Sequence, residues 1–212
     1  MTRPPPYSPA SARNSEPILG VLRFELANCH SLLEIGSGTA QHAVTFAAAM
    51  PWLNWQTSDL AENHEGIKAQ LAGACLSNVQ PPSVLDMNTA VPVGAIYDAV
   101  YSSNTLHIMN EAAGKRMLPF VSSILRDGGM FCYYGPFKRD GRCTTASNES
   151  FDQSLRERKR GMGLRELEQI TELAHRHGLV RQRIYAMPAN NLLIAWQQRH
   201  GVAAEKTSSQ SE

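Results

Sequence analysis

The stretch LLEIGSGTAQHA at residues 32–43 has the residue types of a ligand-binding loop, with an apolar run, two close glycines and a helix start. Gly36 and Gly38 permit a tight turn and a close approach of the backbone to a ligand, and the next helix offers unpaired amides. A dinucleotide-binding fingerprint needs a third glycine where this chain has Gln41. The sequence also lacks the Gly-Lys-Ser/Thr triplet of NTPase phosphate loops. The loop therefore argues against NAD and against an NTPase.

Carboxylates follow the next two predicted strands. Asp59 lies about twenty residues beyond Gly38, where an acidic side chain can accept hydrogen bonds from both hydroxyls of a ribose. Asp59 could instead cap the next helix, because SDLAENHEG is also typical of a helix start. Asp86, after the third strand, is a second candidate for ligand contact, or the first residue of a turn that includes Asn88.

Polar residues end the fourth and fifth predicted strands, beside the topological switch point where α/β sheets bind ligands. Asn104 is predicted to contact the ligand there. His107 is the candidate general base for an acceptor hydroxyl, with a hydrogen-bonded histidine that closes the strand as the alternative. Tyr134, at the end of the fifth strand, is the second catalytic candidate.

Two later segments are predicted to wall an acceptor pocket. The loop GPFKRDGR supplies Phe137, Lys138 and Arg139, and its cations suit a carboxylate or phosphate, although a solvated turn would have the same composition. The turn PANN supplies Asn190 and Asn191, which could equally be there for their tolerance of left-handed backbone angles. No histidine and carboxylate set has metal-ligand spacing, so no metal is predicted.

Short apolar runs that alternate with helical patterns must position these residues. Strands are predicted at residues 31–35, 52–57, 83–86, 97–102, 129–134, 180–187 and 192–197, and the first helix at 16–27. This repetition predicts an α/β fold, a doubly wound and mostly parallel sheet. Only PANN joins the last two strands, which is too short for a crossover helix, so they must be antiparallel.

Composition bounds the remaining possibilities. The 212 residues predict a single domain at 15–199, with an extension at 1–14 that could act as a lid through Arg13, and a disordered tail at 200–212. A net charge of +1 argues against nucleic acid as a partner. There is no CxxC pair, signal peptide or membrane-length apolar run, so we expect a cytoplasmic protein without a membrane partner.

Several stretches together resemble one small family, DUF938 (also UPF0585), of proteins similar to class I S-adenosylmethionine-dependent methyltransferases. The resemblance is carried by SPASARNSEPIL, LEIGSGTAQHA, WQTSD, SNTLHI, YGPFKRDGR, SNESFDQSLR and MPANNLLIAW. The chain departs from the family pattern at Ala40, where glycine is usual, and in RKRGMGLRELE, which lacks an expected tryptophan.

The resemblance implies a seven-stranded Rossmann-like sheet of order 3-2-1-4-5-7-6 with an antiparallel last strand. It implies S-adenosylmethionine as cofactor, held by the loop residues Glu34, Gly36, Ser37 and Gly38. It also implies that Asp86 faces the adenine while Met87 packs on its ring. Methyl transfer to a small-molecule acceptor is the expected activity, and a non-catalytic module that binds S-adenosylmethionine or S-adenosylhomocysteine is the alternative from a different class of function.

Overall fold

The computed structural model describes residues 6–91 and 94–200. Ten strands follow one another along the chain: β1 (Ser31–Ile35), β2 (Asn54–Asp59), β3 (Val79–Val84), β4 (Tyr97–Ser103), β5 (Leu125–Gly135), β6 (Phe137–Arg139), β7 (Arg142–Cys143), β8 (Arg165–Glu166), β9 (Leu179–Met187) and β10 (Asn191–Gln198). Six helices join them: α1 (Pro9–Glu25), α2 (Gln41–Ala49), α3 (His64–Ala74), α4 (Glu111–Ile124), α5 (Ala146–Arg158) and α6 (Leu167–Arg176).

Seven of these strands form one sheet of order β3-β2-β1-β4-β5-β10-β9. Since β9 and β10 are its sixth and seventh strands, the predicted order 3-2-1-4-5-7-6 is confirmed. The pairs among β1 to β5 are parallel, while β10 runs antiparallel to both β5 and β9. The chain is an α/β fold with a doubly wound, mostly parallel sheet, as predicted, and the carboxyl ends of β1, β2, β4 and β5 meet at one edge, here called the carboxyl edge.

Side chains alternate across the sheet and fill two apolar layers. Along β5, Phe131 and Tyr133 pack in the layer covered by α4 and α6, whereas Cys132 and Tyr134 pack in the layer covered by α1 and α2. Because of this alternation, side chains at the carboxyl edge also lie on one face of the sheet or the other. Residues on the same face are the ones that can meet in a site.

Helix α1 begins at Pro9 rather than at residue 16 as the apolar periodicity predicted. The Ser8 hydroxyl accepts a hydrogen bond from the amide of Ser11, and proline at the first helical position has a suitable φ, so polar residues start the helix. The predicted domain boundary at residue 14 therefore falls inside α1. The predicted tail lies, apart from His200, outside the described residues.

Strand β3 occupies Val79–Val84, earlier than the predicted 83–86, and includes Pro81 and Pro82. Proline is tolerated there because β3 is an edge strand. The small sheet β7-β6-β8 was not predicted, since strands of two or three residues carry no periodic signal. Within the described ranges, no helix has the length and apolar character needed to cross a membrane.

Candidate functional site

The glycine loop follows β1 and is fastened to β2. The amides of Gly36 and Ser37 both donate to the carbonyl of Ser58, at 3.0 and 2.9 Å. Gly36 has φ +75°, and a Cβ added there would lie 2.6 Å from the methyl group of Thr105. Gly38 also has a positive φ, +58°, but its missing Cβ faces open space. The loop is thus closely packed at Gly36 and open at Gly38.

Asp59, at the end of β2, bonds directly to this loop. Its Oδ2 accepts from the amide of Gly38 at 2.6 Å, and its Oδ1 accepts from the Leu60 amide and the Asn63 side chain, both at 2.7 Å. The Asp59 carboxylate therefore lies beside the loop, at the position that contact with a ribose would require. It also stabilises the start of the next turn through its bonds to Leu60 and Asn63.

Glu34 lies beneath the loop, nearly inaccessible to solvent. Its Oε2 accepts from the Ser37 hydroxyl at 2.8 Å and from the Trp55 indole at 3.1 Å. Burial disfavours the charged carboxylate and raises the pKa of Glu34 to about 7, although these hydrogen bonds oppose the shift. Glu34 therefore supports the loop from within the protein.

Asp86 and Met87 follow β3. Asp86 Oδ1 accepts from both the amide and the side chain of Asn88 at 2.8 Å, which is the turn that the alternative hypothesis described. Met87 is buried in the layer beneath α4. The adenine contacts of these two residues stay a prediction.

Asn104 joins the ends of two central strands. Its φ is +56°, and its amide donates to the carbonyl of Tyr134 at 2.8 Å. The left-handed backbone turns the chain out of β4, and Thr105 beyond it packs against the glycine loop. Asn104 is thus held at the carboxyl edge between the glycine loop and the segment that carries His107.

His107 is buried on the α4 side of this edge. Its ring packs edge-on against Phe151 of α5, with centroids 5.3 Å apart, and its carbonyl accepts from the Gly163 amide at 2.9 Å. Burial, with the nearby Arg165 as a second cause, lowers the pKa of His107 to about 4. Its buried Nδ1 has no hydrogen-bond partner among the described residues. His107 is therefore a neutral imidazole with a free polar atom.

Tyr134 lies on the opposite face, in the layer beneath α1 and α2. Burial raises the pKa of its hydroxyl, and the neighbouring side chains of Asn14 and Asn191 offset part of that shift. The two predicted catalytic residues, His107 and Tyr134, thus belong to different faces of the sheet, and the structure does not bring them into one cluster.

The start of the described chain lies across the carboxyl edge. Pro6 packs against α3, where a Cβ added to Gly66 would meet its ring at 3.0 Å. The Ser8 amide donates to the side chain of Gln41 at 2.5 Å, at the start of α2. Asn14 Oδ1 and His42 Nε2 are 2.8 Å apart and buried. Sequence patterns did not reveal these contacts, because they join segments about thirty residues or more apart in the chain. Arg13, the predicted lid residue, is exposed.

The predicted acceptor residues occupy different environments. Phe137 is buried against Tyr133, and Lys138 pairs with Asp152 at 2.7 Å, while Arg139 is exposed. Asn190 is an exposed residue with φ +57°, and Asn191 begins β10, which brings the PANN turn beside the end of β5 as predicted. Substrate contact by these five residues stays a prediction.

Asp152 on α5 is a buried carboxylate that sequence reasoning missed. It accepts from Lys138 at 2.7 Å, from Arg156 at 2.9 Å and from the Leu164 amide at 2.7 Å. An Asp-Arg spacing of four residues is common on solvated helices, so its burial had no sequence signal. The part of the chain that the structure describes contains no group of three or more His, Cys, Asp or Glu residues arranged to hold a metal ion.

The family model described as "Protein of unknown function (DUF938)" matches residues 5–198. The fold is similar to that of an O-methyltransferase family protein from Burkholderia thailandensis, with TM-score 0.78 and 17% identity over 91% of this chain and 58% of that one. It is also similar to mitomycin 7-O-methyltransferase, with TM-score 0.77 and 17% identity over 89% and 54% of the two chains.

Human N-acetylserotonin methyltransferase, solved with S-adenosylmethionine, gives TM-score 0.76 and 14% identity over 90% of this chain and 53% of that one. At these identities the likeness establishes the fold alone. The chain spans a little over half the length of each of these three structures.

Proposed function

The chain belongs to the DUF938 family, and we propose that it is an S-adenosylmethionine-dependent methyltransferase that acts on a small-molecule acceptor. The observation that carries the proposal is the carboxyl edge, where an open glycine loop, the Asp59 carboxylate and a neutral buried histidine lie along adjacent strands. Ligands of open α/β sheets bind at this edge, beside the point where the strand order reverses.

The residues present fit such a cofactor. Gly38 presents backbone without a side chain to open space, and Asp59 lies beside it. The first turn of α2 contains no acidic side chain, and Ala40 before it makes no side-chain cap, so this helix start favours a negatively charged or hydroxyl-bearing group. S-adenosylmethionine would supply an electrophilic methyl group on a sulfonium. The protein would mainly hold acceptor and donor in line.

We assign His107 the role of general base for a hydroxyl acceptor. An imidazole with a pKa of about 4 is uncharged at neutral pH, although it is a weak base, and its Nδ1 is buried without a partner among the described residues. We propose that the acceptor displaces the side chains over Nδ1, which then accepts the hydroxyl proton as the new bond forms. Because burial and Arg165 both disfavour the imidazolium, the proton would pass readily from His107 to water. Ile108 and Phe151 beside it are partly exposed and apolar, which favours an acceptor with an apolar body.

The chain start supports a lid role for residues 6–14. Pro6, Ser8 and Asn14 contact α3, the start of α2 and His42, respectively, so this segment lies beside the helix start that follows the glycine loop. Exclusion of water from the site strengthens the interactions of charged groups within it. We therefore propose that the segment opens and closes as the cofactor exchanges.

Isotope-labelled S-adenosylmethionine, purified protein and a metabolite extract would test the activity, with mass spectrometry of labelled products. A labelled product that is absent with His107→Ala supports the proposal. Binding of S-adenosylhomocysteine without any labelled product would favour the non-catalytic binding module instead. Absence of both binding and product would contradict the assignment altogether.

A further inference from the structure

A cavity of about 520 Å³ lies between α4 and α6 and is here called the α4–α6 cavity. Three segments that the glycine loop does not touch converge on it, with Lys138 from β6, Arg156 from α5 and residues 164–166 before α6. Neither His107 nor any glycine-loop residue lines it. Its volume is that of a small-molecule site, and its lining shares no residue with the glycine loop, although Arg165 also lies near His107.

Cations outnumber carboxylates around this cavity. Its cations are Lys115, Lys138, Arg156, Arg165 and Arg176, and its carboxylates are Glu111, Glu166 and Glu172. All three carboxylates already have partners. Glu111 pairs with Lys115, Glu172 pairs with Arg176, and Glu166 accepts from the Gly141 amide. The pairs Glu111–Lys115 and Glu172–Arg176 each balance one negative charge with one positive charge, which leaves the charges of Lys138, Arg156 and Arg165 to be accounted for.

Lys138 and Arg156 share a single carboxylate. Asp152 pairs with both of them and also accepts from the Leu164 amide, so two positive charges face one negative charge. Arg165 is only partly accessible and donates to the carbonyls of Leu106, Met109 and Gly161. Within residues 6–91 and 94–200, Arg165 has no carboxylate at ion-pair distance. A partly buried cation without a counter-charge is costly, and a bound anion would offset that cost.

The rest of the lining is mostly apolar, with Leu164, Ile170 and Leu173 beside Gly114 and Gln169. We infer that the α4–α6 cavity binds a small organic anion, a carboxylate, phosphate or sulfonate on an apolar body, through Lys138, Arg156 and Arg165. The position of Lys138 in GPFKRDGR predicted a role at the acceptor site. The inference instead gives Lys138 a role in binding an anion in this cavity. The inference goes beyond the proposed function, because it requires no methyl transfer.

A matched pair of probes tests the inference on the full chain. The fluorescent sulfonate 1-anilinonaphthalene-8-sulfonate and its uncharged analogue N-phenyl-1-naphthylamine differ only in the anionic group. We expect the sulfonate to bind at one site, more tightly than the analogue, and to weaken as salt is added. Equal affinities for the two probes, or no salt dependence, would overturn the inference.

A matched pair of variants locates the site. Arg156 lines the cavity, whereas Arg158, two residues on in the same helix turn, does not. Arg156→Gln should weaken sulfonate binding about fivefold, as expected for one lost charge contact, while Arg158→Gln leaves it unchanged. Equal effects of the two variants would refute the location. Displacement of the sulfonate by excess S-adenosylhomocysteine would refute a separate site, and persistence of the sulfonate would support it. Thermal melts of both variants confirm that they remain folded.

Discussion

The two halves of the carboxyl edge are built differently. The cofactor half comes from the loop after β1 and the end of β2, where hydrogen bonds join Ser37 to Glu34 and Gly38 to Asp59. The acceptor half brings His107 together with Phe151 and Gly163, and its three segments are joined by ring packing, by the Gly163 amide and by the hydrogen bonds of Arg165 and Asp152. The difference is that the polar side chains beside the glycine loop have hydrogen-bond partners, whereas His107 Nδ1 has none among the described residues.

We expect the largest effect from a substitution of His107, which should change the rate of methyl transfer and not the affinity for the cofactor product. His107→Ala should lower the rate of methyl transfer by about 10²–10⁴-fold, the usual contribution of a positioned base. Affinity for S-adenosylhomocysteine should stay unchanged, because His107 lies outside the glycine loop. Steady-state rates and calorimetry on the same preparation measure both quantities. An equal loss in both would show that the two halves are not separable.

The dependence of the wild-type rate of methyl transfer on pH reports the charge state of His107. Since burial lowers its pKa to about 4, the rate constant should be level from pH 6 to 8 and fall only as the pH approaches 4. A rate that falls steeply below pH 7 would place the imidazole near its ordinary pKa and contradict the buried, neutral assignment.

Substitutions of two glycines test how closely the glycine loop of the cofactor half is packed. Gly36→Ala places a methyl group 2.6 Å from Thr105 Cγ2 at a positive φ, so we expect a loss of about 2–4 kcal/mol in the free energy of unfolding. Gly38→Ala, with open space around it, should cost only about 1 kcal/mol from its backbone. Urea denaturation of both variants measures the difference.

Thr105→Ser provides the matched control, because it removes the clashing methyl group and keeps the hydroxyl that bonds to Ser102. Combined with Gly36→Ala, it should recover the steric part of the loss. No recovery in the double variant would mean that the strain of Gly36→Ala arises elsewhere.

Asp59 and Asp86 form a second pair with unlike roles. Asp59→Asn should weaken S-adenosylhomocysteine binding by about 1–3 kcal/mol, since the amide cannot replace all the bonds of a carboxylate beside Gly38. Asp86→Asn should have a smaller effect, because Asp86 already holds the Asn88 turn. Calorimetry of the two variants decides this, and a larger loss at Asp86 would assign ligand contact to that carboxylate.

The smallest expected effect is the change of the free energy of unfolding with pH that the Glu34 carboxyl causes. Its folded pKa of about 7 lies above the ordinary 4.5, so the folded protein binds more protons, and stability falls as pH rises from about 4.5 to 7. Buried His42 and His107, with pKa values lowered to about 4, act oppositely between pH 4 and 6.5. The difference between wild type and Glu34→Gln isolates the glutamate. If that difference does not change with pH, Glu34 keeps its ordinary pKa.

The sequence predicted that Gly38 and Asp59 lie side by side, because each follows a predicted strand of the same parallel sheet, and the structure has them in contact. Their contacts with a cofactor stay a prediction. The four-residue PANN turn predicted the antiparallel last pair, because it is too short for a crossover helix, whereas the strand order was predicted from the family resemblance. The acceptor half was harder to predict. The burial of Asp152, the packing of Phe151 on His107 and the sheet of β6, β7 and β8 depend on contacts between distant segments. The early start of α1 was missed for a different, local reason, because the Ser8 cap begins the helix before its apolar stripe.

Calorimetric titration of the purified chain with S-adenosylhomocysteine, and in parallel with NAD, tests the central claim most directly. The account predicts one molecule of S-adenosylhomocysteine bound per chain, weakened by Asp59→Asn and unaffected by His107→Ala, with no heat of binding from NAD. Saturable binding of NAD with no response to S-adenosylhomocysteine would contradict it.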